Sequence, residues 1–440
     1  VHNYLSLKNI PKRYRVVMAG WVSRVLMGFS QIISIPILMN YLGVDLYAVF
    51  AVIIGLQGWF ALADYGIGSS LQNYISEARI NSKDIKLLLN NAAFVTMILL
   101  VISCIIFVCI SPLLQRLLLH KIDPVLATSR SSFFNVVGFI CIATTVFGVS
   151  YRILFAHHKG YLAYFYQGLG SVISVIAIII VNYLNINQDK LLVILLCWLL
   201  PNLFVAMISY VQNFVFNGMF KCIDFETIKS IITRGGKFWG FAIVAAATLS
   251  ADYIIMAQTL TANDIVIYSI LSKGFGFILF FYSAILTAIW PELAEMFAKK
   301  QWLQANKTLS KNIFLGMMFV LICSVLFLIF RALIVHVLAN GKNLTLPITT
   351  IGLFSVYIMI RVWTDSYAMA LQSQSFLKIF WICVPAQAAL SIIGMYIFSK
   401  YFGINGILMG LIASFILTAT WALPVYYFKR KNVNEESYAV

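Results

Sequence analysis

Long apolar runs recur along the chain, separated by short polar connections. Twelve can be drawn, at roughly 16–40, 46–72, 87–111, 131–155, 161–183, 191–216, 238–260, 264–291, 312–336, 347–371, 377–399 and 404–428. Each is close to the ~20 residues an α-helix needs to cross a hydrocarbon core of ~30 Å. Their continuity excludes a membrane β-barrel, whose strands alternate apolar and polar positions over ~10 residues. The pattern therefore predicts an all-α membrane protein with twelve transmembrane helices. Between the sixth and seventh runs, residues 217–237 carry Lys221, Asp224, Glu226, Lys229, Arg234 and Lys237. Phe225, Ile228, Ile231 and Ile232 within that stretch predict an amphipathic helix lying on the membrane surface. The largest outer connection, about residues 112–130, leaves no room for an external domain.

Composition agrees with the pattern. Of 440 residues, 62% are apolar and 10% are charged, against about 25% charged in a soluble domain. A soluble globule has too little interior to hide that surface. Soluble enzymes, disordered scaffolds and disulfide-framed secreted domains are excluded. Six of the seven cysteines lie inside apolar runs and none forms a CxxC pair, so they read as small apolar residues rather than metal ligands or disulfides. No cleavable signal peptide is evident, since the first run is too long and lacks a small-residue cleavage site.

Charge changes the picture by fixing direction. With the N-terminus inside, 21 Lys and Arg fall on the cytoplasmic side, 6 on the outer side, and Arg24, Lys273, Arg331 and Arg361 within spans. This bias places both termini in the cytoplasm. It accounts for most of the net charge of +16 without nucleic acid, and it suits anionic lipid. The polar connection between runs six and seven is the natural internal boundary. It divides the chain into residues 1–220 and 221–440, with six spans each. At an offset of 219, Asp45 falls on Asp264 and Gly55 on Gly274. An even number of spans per half gives two copies of the same orientation.

Charges inside the membrane are costly and usually face a partner or an aqueous path. Arg24 and Asp64 each lie ~12 Å from the cytoplasmic end of their helices at 1.5 Å per residue, so neighbouring antiparallel helices can pair them. Asp252 and Lys273 lie ~12–14 Å from the outer ends of the seventh and eighth helices and can pair likewise. Arg361 and Asp365 are spaced i,i+4 on one helix face, which Tyr357 and Gln372 extend. Such pairs either fix helix register or line a water-filled cavity; three of them across both halves favour the cavity. Gln31 and Gln57 share the faces of Arg24 and Asp64. Trp21, Trp59 and Tyr65, near that level, are candidates for stacking on sugar rings. Pro36, Pro201, Pro385 and Pro424 lie inside spans as kinks or hinges, and Pro291 closes the eighth. His157 and His158 sit at a helix end and His120 in an outer connection, so no metal site is expected. No phosphate-binding Gly-rich loop is present, so neither ATP nor another cofactor is expected, and no catalytic constellation has motif-grade spacing.

Four stretches resemble a known family. Tyr41-Leu-Gly-Val-Asp-Leu-Tyr-Ala-Val-Phe50 and Asp64-Tyr-Gly-Ile-Gly-Ser-Ser-Leu-Gln-Asn-Tyr-Ile-Ser-Glu-Ala-Arg79 look like Wzx-type polysaccharide flippases. Ala288-Ile-Trp-Pro-Glu292 and Ile360-Arg-Val-Trp-Thr-Asp-Ser-Tyr-Ala-Met369 are similar to enterobacterial O-antigen members. The resemblance implies the multidrug/oligosaccharidyl-lipid/polysaccharide superfamily, with two six-helix lobes around a central cavity that opens alternately to either side. It implies a flippase of the bacterial inner membrane that moves an undecaprenyl-pyrophosphate-linked O-antigen repeat unit between leaflets. Partners so implied are the lipid-linked oligosaccharide, membrane lipid, H⁺ or Na⁺, and the O-antigen polymerase machinery. Substrate-binding positions are then Arg24, Gln31, Asp64, Lys273 and Arg361, and ion-coupling positions Asp64, Asp252 and Asp365. Only Asp64, Arg361 and Asp365 lie within the resembling stretches; the others rest on depth and helix-face position. Two rival classes are a multidrug antiporter of the same fold, which would prefer an acidic, aromatic cavity, and a membrane polymerase or ligase, which would carry a substantial outer loop.

Overall fold

The computed structural model describes residues 12–80, 85–122, 131–157, 159–184, 186, 189–214, 223–338, 345–374, 376 and 378–436. Among these residues there are helices and turns and no strand. In order they are α1 (Lys12–Gly55), α2 (Gln57–Phe60, followed by a 3₁₀ turn Ala61–Asp64), α3 (Ile67–Ile80), α4 (Ile85–Leu119), α5 (Ser131–Ala156), α6 (Gly160–Leu184), α7 (Lys190–Asn213) and α8 (Phe225–Leu249). There follow α9 (Asp252–Thr259), α10 (Ala262–Ala298), α11 (Trp302–Ile329), α12 (Arg331–Leu338), α13 (Ile348–Ser373), α14 (Phe380–Phe402), α15 (Ile404–Leu417) and α16 (Ala419–Glu436). Cys222, His158 and Lys221 lie outside the described residues.

Among the described residues, ten segments are long and apolar enough to cross a membrane. One of them, Val22–Asp64, takes in most of the first expected span and most of the second, and is broken at Gly43, whose φ of 79° ends one helix and starts the next. The expected tenth span coincides with the 26-residue helix α13, which carries the Arg361 and Asp365 charges and is not among the ten. Pro291 does not close a helix, since α10 runs on to Ala298.

The surface shows which solvent the fold expects. Along α4, Ser103, Ser111 and Gln115 are buried while Val101, Ile105 and Leu113 are exposed. That inversion is stable only where the surroundings are as apolar as the side chains. The protein is thus a multi-pass membrane protein. Polar side chains bridge helices in place of a hydrophobic driving force: Thr96 and Tyr210 share a hydrogen bond of 2.8 Å, and Ser150 Oγ donates to Ser209 Oγ at 2.9 Å.

The chain forms two compact units, one reaching to Ala246 and one from Ala247. The junction lies beyond the polar connection at 217–237 because α8 belongs to the first unit. Ile231 is fully buried in a core with Ile67, Leu71, Ile75, Leu89, Ile153 and Tyr210. The expected surface helix and the start of the seventh span are therefore one continuous helix, held by Ile231, with Phe225 and Ile232 exposed. In the first unit α1 packs on α6 and α5 on α7. In the second, α14 packs along α15, where a Cβ at Gly410 would fall 2.3 Å from the Met395 nitrogen. Small residues of this kind let membrane helices approach backbone to backbone.

Candidate functional site

In the first unit, the Asp64–Gly68 segment is a built turn. After the 3₁₀ turn, Tyr65 and Gly66 both adopt left-handed backbone (φ 48° and 71°), and α3 begins at Ile67. The Asp64 carboxylate accepts the Gly66 N–H at 2.8 Å, satisfying a donor at the start of α3. Gly66 has no room for a side chain, because a Cβ would lie 2.3 Å from the Gly235 carbonyl oxygen and 2.8 Å from the Trp239 nitrogen. Helix α8 grips the turn from that side. Trp239 Nε1 donates to the Leu62 carbonyl at 2.9 Å, and its ring lies 5.2 Å from that of Tyr65.

Asp64 and Arg24 each have a neighbour of their own. A Cβ on Gly68 would meet Asp64 Oδ2 at 3.1 Å and the Arg152 side chain at 3.0 Å, so Asp64 and Arg152 flank the same space. Arg24, half-buried on α1, lies over the Tyr164 ring of α6 at 5.8 Å. Gln31 and Gln57 are exposed. Tyr65, a candidate for stacking on sugar, already packs on Trp239 and accepts the Ser103 hydroxyl at 3.2 Å. Sequence reasoning missed Arg152 because it lies in the last turn of a span and counts toward the inside-positive bias. Its alignment with Asp64 depends on the break in the second span.

The second unit holds two polar groups. Helix α8 ends at Leu249 and α9 starts at Asp252, so the expected seventh span is broken mid-run. Asp252 Oδ2 accepts the Tyr268 hydroxyl at 2.7 Å and Oδ1 accepts the Tyr253 N–H at 2.9 Å. Tyr268 is thus a partner of Asp252, and Lys273 lies half-buried farther along α10. On α13 the expected pair is formed. Arg361 Nη2 donates to Asp365 Oδ2 at 3.0 Å, and Nε lies 3.2 Å from the same oxygen. Arg361 Nη1 donates to Tyr357 Oη at 3.3 Å, and its guanidinium lies 5.7 Å from the Phe415 ring. The flanking Trp363 anchors the helix by donating to the Thr420 carbonyl at 2.9 Å, and Tyr282 and Ser366 share a hydrogen bond of 2.6 Å. A carboxylate, a phenol and a ring thus fix the orientation of this planar guanidinium. No cluster of three or more His, Cys, Asp or Glu side chains able to hold a metal ion occurs among the described residues.

No family model matches the chain. Three curated relatives do. The chain is 37% identical over 420 residues to a Yersinia pseudotuberculosis protein named for O-antigen export, covering 94% of this chain and 95% of that one. It is 34% identical over 430 residues to an O-antigen transporter of Salmonella typhi, covering 98% and 99%. A Salmonella typhimurium counterpart is 34% identical over 432 residues, covering 97% and 99%. Among solved structures, an inward-facing multidrug-resistance MATE transporter of the MOP superfamily matches with a TM-score of 0.76 at 14% identity, over 94% of this chain and 96% of that one. The lipid II flippase MurJ, in an inward closed conformation, matches at 0.69 and 13% identity, over 95% and 90%. At such identities the structures speak to fold alone. The likeness in sequence makes this chain a transporter rather than an enzyme, and it belongs to the family of membrane O-antigen transporters.

Proposed function

We propose that the protein flips undecaprenyl-pyrophosphate-linked O-antigen repeat units from the inner to the outer leaflet of the bacterial inner membrane by alternating access. The observation that carries this reading is the near full-length likeness to proteins named O-antigen transporters. We further propose twelve spans with both termini in the cytoplasm. The substrate pairs a polar, anionic head with a long apolar tail. Arg24 and Gln31 in the first unit, and Lys273 and Arg361 in the second, are the proposed contacts for pyrophosphate and glycan. Asp64, Asp252 and Asp365 are the proposed sites at which H⁺ or Na⁺ biases the conformational equilibrium, since an ion shifts a population only through differential affinity for the two states. A multidrug antiporter shares the fold, but Arg152 near Asp64 and Arg361 beside Asp365 favour an anionic substrate. Deleting the gene is expected to abolish surface O-polysaccharide while lipid-linked repeat units accumulate inside. Normal surface polysaccharide in the deletion strain refutes the proposal.

A further inference from the structure

Beyond the Asp64 turn, toward the start of α8, helices α3 and α8 border an open cleft of about 780 Å³. That volume lies within the ~300–1,000 Å³ typical of ligand sites. Tyr74 of α3 forms one wall, and Glu226, Lys229, Arg234, Lys237 and Phe238 of α8 form the other. Three cations thus face a single carboxylate. The Arg234 guanidinium stacks over the Tyr74 ring at 4.6 Å, which orients its planar donors. Lys229 and Lys237 are both exposed and stand ~12 Å apart along the helix axis. None of these residues is among the proposed substrate contacts.

The surroundings identify the class of ligand. Phe225 is 79% exposed and Ile232 49% exposed on the same helix. Cations interleaved with exposed apolar side chains at the end of a membrane helix match the interfacial zone, where acyl chains meet headgroups. The inside-positive bias assigns this end of α8 to the cytoplasmic surface, whose anionic lipids attract Lys and Arg. We propose that this cleft holds the anionic phosphate headgroup of a membrane lipid. The proposal rests on reading the chain as a membrane transporter with this connection inside. The same phosphate chemistry has two sources, the bilayer's own anionic phospholipid and the polyprenyl pyrophosphate carrier.

The test uses the full-length protein in nanodiscs of phosphatidylcholine, alone or with added phosphatidylglycerol or undecaprenyl pyrophosphate. Lipid retained on the protein is measured by native mass spectrometry. Wild-type protein is expected to retain an added anionic lipid over phosphatidylcholine, and K229Q/K237Q to retain it roughly tenfold less or weaker still. That double variant leaves the Arg234–Tyr74 stack in place. Preference for undecaprenyl pyrophosphate names the carrier as occupant, and preference for phosphatidylglycerol names a bilayer lipid. Unchanged retention in K229Q/K237Q, or equal retention of phosphatidylcholine by wild type, overturns the proposal. As a second measurement, a headgroup-photoactivatable anionic lipid should label residues 225–238 of wild type; labelling confined to other segments also overturns it. Neither readout uses transport, so failure of the cleft and failure of the flippase reading are separate results.

Discussion

Removing either partner of the Arg361–Asp365 pair should expose how that pair is used. The ions are 3.0 Å apart, with side chains 18% and 33% exposed, and Tyr357 and Phe415 complete the guanidinium's surroundings. Stranding one member of a fully buried pair costs about 3–5 kcal/mol. Partial exposure here lowers that to roughly 2–3 kcal/mol for Arg361→Gln or Asp365→Asn alone. The double variant removes both charges together and should recover much of the loss, giving a coupling energy of about 1–3 kcal/mol in a double-mutant cycle. The assay is reversible or scan-rate-controlled unfolding of detergent-solubilised protein, followed by complementation of a deletion strain. If the pair only fixes packing, the double variant regains both stability and export. If Arg361 meets the substrate, the double variant regains stability but not export, and this is the expected outcome. Single variants that each lose less than about 0.5 kcal/mol and add in the double variant would refute the pairing argument itself.

Three further outcomes are expected. Gly66→Ala should lower thermal stability by about 2–4 kcal/mol, combining the left-handed backbone cost with overlap onto α8; a variant as stable as wild type would contradict the turn geometry at φ 71°. Tyr268→Phe should cost about 1–3 kcal/mol by leaving the Asp252 carboxylate short of a donor, measured as a thermal shift, and Tyr268→Phe with Asp252→Asn should be far less than additive. At the start of α8, Thr227 donates its hydroxyl and its backbone N–H to Asp224, which holds that carboxyl below the usual carboxylate range. A depressed carboxyl stabilises the folded state above its unfolded pKa, and that stability is lost as pH falls through the folded value. Thr227→Val should therefore destabilise near neutral pH, and its difference from wild type should fade below about pH 4; a pH-independent difference would contradict this.

What the sequence made legible follows from what a helix fixes by itself. Apolar run length reports the spanning segments because the bilayer demands it, and i,i+4 spacing brought Arg361 to Asp365 because one helix face sets that contact. The expected partners of Asp64 and Asp252 differ from the neighbours they have in the fold, Arg152 and Tyr268. Both estimates assumed unbroken helices rising 1.5 Å per residue. The second span instead tightens into a 3₁₀ turn and reverses through Tyr65 and Gly66, and the seventh breaks before Asp252. Each break rotates the face that follows, so Asp64 turns toward the Gly68–Arg152 space and Asp252 toward Tyr268. Periodicity carries no signal for such breaks. Gly66 beside Asp64, and Ser250 before Asp252, were the only local hints. The position of α8 was equally hidden, because the burial of Ile231 is decided by α3 and α5 rather than by its own amphipathic pattern.

The central claim is transfer of a lipid-linked repeat unit between leaflets. Its most direct measurement places purified protein in liposomes with an undecaprenyl-pyrophosphate oligosaccharide in both leaflets and follows access of a membrane-impermeant glycan-modifying reagent. With the protein present, nearly all of the glycan should become modified over time, while protein-free liposomes protect the inner half. Protection of that half in protein-containing liposomes, with the protein folded, would contradict the account.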